Sequence, residues 1–160
     1  MTKTRRSFSS SLVLAVVTLV LSACASLGTP EDQQTARALW DEMKGFTSWQ
    51  QFPKHKGIKK GTSGVHGDYV ATWINAVAAG DMASLPPGSI LVKENFSRND
   101  RSALDGITVM KRIAGYDPDN EDWFYARYSA SGSLTHAGKV AMCSDCHSSA
   151  DGDDFSFLND

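Results

Sequence analysis

The chain has 160 residues, of which 41% are hydrophobic and 21% charged, and its formal net charge is −2. This balance is typical of a single soluble globular domain and excludes a disordered or fibrous chain. The excess of acid also argues against a nucleic-acid partner, because neutralising phosphates requires clustered Lys and Arg.

The first 23 residues are predicted to be a lipoprotein signal peptide. Three basic residues precede an apolar stretch, residues 12–21, which is too short for a comfortable membrane span. The stretch runs into Leu21-Ser22-Ala23-Cys24, which resembles a lipobox with Cys24 as the lipidated first residue of the mature chain. Cleavage at a nearby small residue, with Cys24 as an incidental thiol, is the alternative. Lipidation predicts a periplasm-facing protein, and no acidic residue follows Cys24 closely, which favours the outer membrane.

Residues 24–29 are predicted to form a tether, and a single domain is predicted over residues 30–160. A helix is expected from Pro30 to about Lys44, because Thr29 supplies a capping hydroxyl and Pro30 suits the first helical position. Its apolar residues recur at the spacing of one buried helix face: Ala36, Leu39, Trp40 and Met43. Residues 50–67 show no period and are predicted to be a loop with a short strand.

Four runs rich in β-branched and aromatic residues are predicted to be strands: residues 69–74, 89–96, 107–113 and 122–128. A short helix, residues 75–79, follows the first of them. Because short turns connect the last three, we expect an antiparallel meander. Residues 134–147 are predicted to form a helix or helical turn, and Phe155 and Phe157 to lie on a last edge strand.

The strongest chemical signal is the run Cys143-Ser144-Asp145-Cys146-His147. Two thiols at this spacing can both add to the vinyl groups of a haem while the adjacent imidazole binds its iron. The run therefore predicts one covalent haem c, attached to Cys143 and Cys146, with His147 as the iron ligand. The predicted fold class is α+β, mostly antiparallel β-sheet with an N-terminal helix and a C-terminal haem-binding helix. A zinc site would need further ligands, and a Cys143–Cys146 disulfide would leave His147 unexplained.

The second axial position of the iron is predicted to be open. No methionine follows Met142, so the usual methionine ligand of an electron-carrying cytochrome c is absent. The strand-like segments also argue against a four-helix bundle. A five-coordinate haem can bind or activate a small molecule. The alternative is a sixth ligand from His66 or His136, which would make the protein an electron carrier.

Six segments carry a resemblance to a known family: His66-Gly67, Gly88-Ser89-Ile90-Leu91-Val92-Lys93-Glu94, Val109-Met110-Lys111, Gly115-Tyr116-Asp117-Pro118, Asp122-Trp123-Phe124-Tyr125-Ala126 and the Cys143 to His147 run. In order and spacing they resemble cytochrome P-460 and its relative cytochrome c′-beta. The resemblance implies a largely β haem domain, a homodimer, and a covalent bond from Lys93 to a haem meso carbon. Cross-linked members oxidise hydroxylamine and pass electrons to other cytochromes, whereas cytochrome c′-beta lacks the bond and binds nitric oxide.

The expected partners are therefore a small nitrogen-containing molecule or a diatomic gas, a redox partner cytochrome, and the membrane through the lipid anchor. Taken alone, Lys93 beside Glu94 would be an ordinary solvent-facing strand lysine. Strand alternation places Leu91 and Lys93 on one face and the core-like Val92 on the other, so the Lys93 face is the one predicted to meet the haem. Glu94 and Asp145 are candidate proton acceptors, with plain solvent exposure as the alternative for Asp145.

Overall fold

The computed structural model describes residues 27–61, 64–151 and 154–158. The predicted signal peptide and Cys24 lie outside these ranges. Within them, no helix is long and apolar enough to cross a membrane.

The first helix, α1, covers Pro30–Glu42 and begins as predicted. The Thr29 hydroxyl accepts a hydrogen bond from the Asp32 backbone N–H at 3.1 Å, and the Asp32 carboxylate accepts one from the Thr29 N–H at 2.9 Å. This reciprocal pair is a capping box, which satisfies two backbone donors at the helix start. The helix ends two residues before the predicted boundary. Its apolar face, including Ala36 and Leu39, packs on one face of the sheet.

Seven strands form one antiparallel sheet: β1 (Gln50–Gln51), β2 (Lys59–Lys60), β3 (Tyr69–Ile74), β4 (Ile90–Phe96), β5 (Leu104–Arg112), β6 (Trp123–Ser129) and β7 (Leu134–Gly138). The strand order is β1-β3-β4-β5-β6-β7, with β2 pairing the other end of β3. The predicted meander is confirmed, as is the α+β fold class. Two helices complete the fold, α2 (Ala76–Gly80) and α3 (Ala141–His147).

Two predictions near the C-terminus were wrong. The helix or helical turn expected over residues 134–147 is present only as α3, because Leu134–Gly138 instead forms β7 and pairs with β6. Without β7, the outer edge of β6 would leave its backbone donors and acceptors without strand partners. The edge strand expected around Phe155 and Phe157 does not form either. Residues 154–158 turn back towards α3, and the Phe155 carbonyl bonds to a side chain of that helix.

Asp32 ties the start of α1 to the distant end of the sheet. The Tyr116 hydroxyl donates to Asp32 Oδ1 at 2.6 Å. Gly138, the last residue of β7, approaches the same carboxylate with φ +96°, and a Cβ there would lie 2.6 Å from Asp32 Oδ2. The site therefore requires glycine for both its conformation and its lack of a side chain. One carboxylate thus caps α1 and joins it to two segments more than 80 residues away.

Replacing Asp32 with Ala is expected to lower the free energy of unfolding by about 1–3 kcal/mol, since it removes a helix cap and a partly buried hydrogen bond. Burial alone would raise the pKa of Asp32, but the hydrogen bonds from Tyr116 and Thr29 outweigh it and hold the pKa below its ordinary value. The carboxylate therefore stabilises the fold above its unfolded pKa of about 3.9, and this contribution is lost as pH falls through the folded pKa.

Denaturant unfolding of the haem-loaded protein at neutral pH and near pH 3 would measure both effects. Asp41→Ala is the matched control, because Asp41 lies on the same helix in an exposed ion pair with Lys44. Such a pair contributes about 0–1 kcal/mol. Equal losses for the two variants would contradict the role assigned to Asp32.

Candidate haem site

A cavity of about 410 Å³ lies on the sheet face opposite α1. It is lined by residues of β2 to β7, by α3, and by the segments that precede β3 and follow α3. The volume falls in the range of cofactor and ligand sites. All four histidines of the chain reach this cavity, and they are His55, His66, His136 and His147.

One row of polar side chains crosses the floor of the cavity. Residues directly paired across antiparallel strands point to the same face, and here the register aligns five of them, one from each of β3 to β7. They are Thr72, Lys93, Thr108, Arg127 and His136, and all five line the cavity. The polar row therefore brings two cations and an imidazole into one line across the sheet.

The neighbouring row of the sheet is apolar apart from one hydroxyl. Leu91, Met110 and Tyr125 pair with one another across β4, β5 and β6 and line the cavity beside the polar row. Tyr125 is 3% exposed, and its hydroxyl has no hydrogen-bond partner within the described residues. Its ring centre lies 5.8 Å from that of His147. The cavity thus offers an apolar wall next to a charged one.

His147 is oriented by a carbonyl that follows α3 in the chain. Its Nδ1 lies 2.8 Å from the Phe155 carbonyl oxygen. Because a carbonyl only accepts, Nδ1 must carry the proton, which leaves Nε2 as the nitrogen free to bind a metal. The imidazole is 7% exposed, and burial lowers its pKa, which favours the neutral ligand form. This is the arrangement expected of an axial ligand with an outer hydrogen bond.

Cys143 and Cys146 lie on α3 and both line the cavity beside His147. They are not joined by a disulfide; Cys143 is half-buried and Cys146 is exposed. Within the described residues, no group of three or more His, Cys, Asp or Glu side chains is placed to hold a metal ion. The zinc alternative therefore finds no ligand set in this part of the chain.

The residues present fit a haem. The cavity combines two thiols and an imidazole on α3 with apolar side chains on the sheet. Four of its lining residues are cationic, namely Lys59, Lys60, Lys93 and Arg127, and none of the described lining residues is Asp or Glu. Haem has an apolar ring and carboxylate side chains, so the apolar row suits the ring and Arg127, which is half-buried, suits a carboxylate.

Lys93 lines this cavity from the polar row, between Thr72 and Thr108. Burial lowers its pKa to about 8, so a larger share of the amine is neutral and nucleophilic than in an exposed lysine. The alternation predicted for β4 is present: Leu91 and Lys93 line the cavity, while Ile90 and Val92 belong to the core beneath α1.

His66 enters the cavity from the turn before β3. Gly67 holds this turn against β4 with φ +73°, and a Cβ on it would lie 2.8 Å from the Phe96 carbonyl oxygen. His66 Nδ1 contacts Thr108 Oγ1 at 3.0 Å. Burial, together with the charge of Lys93, lowers the pKa of His66 to about 3, so the imidazole is neutral. Its ring centre lies 6.2 Å from that of His147, with the ring planes at 85°.

The two candidate proton acceptors are not among the residues that line the cavity. Glu94 lies on the opposite face of β4, where its carboxylate accepts from Trp73 Nε1 and pairs with Arg101, both at 2.9 Å. Asp145 is exposed on α3.

The sequence did not indicate three residues that line the cavity: Arg127, Tyr125 and His55. Strand alternation could have indicated Arg127 and Tyr125, but only once the register of β6 against β5 and of β5 against β4 was known.

Comparison with known proteins gives one family match. The model of the family described as Cytochrome P460 matches residues 43–158, which include Lys93 and the Cys143 to His147 run. No curated protein matches the chain. The matched range covers the sheet, α3 and the returning C-terminal segment, and therefore every element that lines the cavity.

Proposed function

Because this chain belongs to the cytochrome P460 family and carries covalently bound haem c, we propose that it oxidises hydroxylamine or a related small nitrogen species and passes the electrons to another cytochrome. The observation that carries this proposal is the position of Lys93, which lies in the same cavity as Cys146 and His147. A lysine amine with its pKa lowered to about 8 is suited to a covalent bond at the haem edge.

Side chains of α3 and of the sheet would hold the cofactor together. Cys143 and Cys146 would attach it to α3, and His147 would bind its iron through Nε2, since the Phe155 carbonyl engages Nδ1 and fixes the orientation of the imidazole. Lys93 would bond to the cofactor from the sheet. When bound, the haem supplies a redox-active iron that can bind a small nitrogen species and accept its electrons.

We also propose the cellular setting that the leader favours: a periplasm-facing lipoprotein anchored through Cys24, at the outer membrane, and assembled as a homodimer. The support is the lipobox-like sequence and, for the dimer, the family resemblance. Membrane fractionation of cells expressing the wild type and Cys24→Ala tests the anchor. Wild-type protein in the soluble periplasmic fraction would reject it.

Peptide mapping tests the covalent role of Lys93. Tryptic digestion of the purified haem protein is expected to yield the Lys93 peptide attached to the same haem as the α3 peptide. Hydroxylamine oxidation, followed through reduction of an added electron acceptor, is the accompanying assay. A Lys93 peptide recovered free of haem, with no turnover, would contradict the proposal. In that case an optical response of the ferrous protein to nitric oxide would favour gas binding of the cytochrome c′-beta kind.

A second candidate function, electron transfer through a six-coordinate haem, is favoured by the position of His66. Metal–imidazole bonds of about 2 Å place the ring centres of two imidazoles on opposite sides of one metal roughly 6 Å apart. The ring centres of His66 and His147 are 6.2 Å apart. Nδ1 of each ring is engaged by the protein, which leaves Nε2 of each available to a ligand in the same cavity.

Under this second function, the ferric wild type is expected to be low-spin and His66→Ala high-spin, because the variant loses the sixth ligand. Optical and electron paramagnetic resonance spectra measure the spin state. His136→Ala is the matched control, since His136 also lines the cavity and lies farther along the sheet from β4. A high-spin wild type would reject the second function and leave the open axial position that hydroxylamine oxidation requires.

A further inference from the structure

Four of the residues that line the cavity are also exposed to solvent, and together they define its mouth: Lys59, Lys60, Met142 and Cys146. Cys146 is one of the two attachment residues. A haem attached there would therefore have one of its two attachment points at the mouth. Electrons can therefore leave the cofactor at the mouth without crossing the core.

The mouth is bordered by a basic segment. Residues 54–60 contain four lysines, one histidine and no acidic residue, although the whole chain carries a net charge of −2. Five basic side chains elsewhere in the described residues form ion pairs, whereas Lys56, Lys59 and Lys60 form none there. Two exposed acids lie near the mouth, Asp68 beside β2 and Asp145 on α3. Asp151, just after α3, is exposed as well, so the positive part of the border is the side formed by residues 54–60, which contain no acid.

The mouth also has an apolar element. Met142 is 51% exposed and is one of two large hydrophobic side chains that are exposed in the described residues. Methionine is enriched in protein interfaces, and charges around an apolar centre steer a partner of opposite charge into register. Exposed lysines, an exposed methionine and an exposed attachment cysteine that line one cavity are the features expected of a docking face for a redox protein.

We propose that the mouth docks the acidic face of the redox protein that accepts electrons from the haem. This rests on the proposed function in one respect, that the electrons leave to another protein. The partner gains the electron that the reduced haem loses, and no covalent bond forms or breaks. The lysines of β2 are exposed rather than enclosed, which suits a protein surface better than a small anion held inside the cavity.

The test uses the haem-loaded protein, reduced chemically and mixed in stopped flow with oxidised plastocyanin of the acidic plant type. The variant is Lys59→Glu/Lys60→Glu. The control is Arg37→Glu, which reverses an exposed charge on α1, on the other face of the sheet. At about 0.01 M ionic strength the double variant is expected to transfer electrons roughly tenfold or more slowly, while the control transfers at the wild-type rate. At about 1 M the difference should disappear, because salt screens the charges.

A double variant as fast as the wild type, or no slower than Arg37→Glu, would overturn the docking face. Hexacyanoferrate(III) is a small anionic oxidant. Its rate shows whether the lysines attract any anion or specifically dock a protein. A rate loss with hexacyanoferrate as large as that with plastocyanin would also overturn the proposal, since no protein contact would then be needed. Because the haem is reduced without hydroxylamine, the result is independent of whether the protein oxidises that substrate.

Discussion

Replacing both Cys143 and Cys146 with Ser is expected to abolish covalent haem attachment. Each thioether needs one of these two sulfurs, and serine oxygen does not form the bond under the same conditions. A single replacement should leave the haem held by one bond. The geometry supports this expectation because both thiols line the cavity on the same helix as His147.

Haem staining after a denaturing gel, together with the intact mass, measures this loss. Asp145→Asn is the matched control, because Asp145 lies between the two cysteines and is exposed. The control should retain the full mass of the attached haem. Haem that stayed bound to the double variant under denaturing conditions would show that the attachment lies elsewhere.

Replacing Lys93 with Gln is expected to lower the rate of hydroxylamine oxidation by roughly a hundredfold or more, equivalent to about 2.7 kcal/mol. The haem should remain covalently attached through Cys143 and Cys146, so the loss would concern the chemistry and not cofactor content. Glutamine keeps much of the side-chain volume but has no nucleophilic amine, and it cannot form the bond to the haem edge. The strongly red-shifted ferrous Soret band expected of a cross-linked haem should disappear with the activity.

Lys111→Gln is the matched control for this variant. Lys111 is also a strand lysine, but it points to the α1 side of the sheet and pairs with Glu42 at 2.5 Å. Its replacement should leave the Soret band and the turnover unchanged when both are normalised to haem content. Wild-type turnover in Lys93→Gln would remove Lys93 from the mechanism. A shifted Soret band in both variants would point to a general change in the haem environment.

Local patterns were enough to predict most of the elements. The capping residues Thr29 and Pro30 predicted the start of α1, and the alternation of Leu91, Val92 and Lys93 predicted which face of β4 meets the cavity. These predictions succeed because capping and alternation depend on neighbouring residues in the chain. The helix or helical turn predicted over residues 134–147 is present only as α3, because the start of that segment pairs with β6, a long-range contact that local pattern does not encode.

The haem-binding chemistry was determined by the sequence itself, since the spacing of Cys143, Cys146 and His147 limits what those side chains can hold together. The surroundings of that chemistry were decided only by the tertiary structure. Strand register places Arg127 in the same row of side chains as Lys93. Strand alternation places Glu94 on the other face of β4, where it pairs with Arg101. The physical reason is that a motif specifies its own ligands locally, whereas the charges and rings around it come from strands whose alignment depends on the packing of the whole sheet.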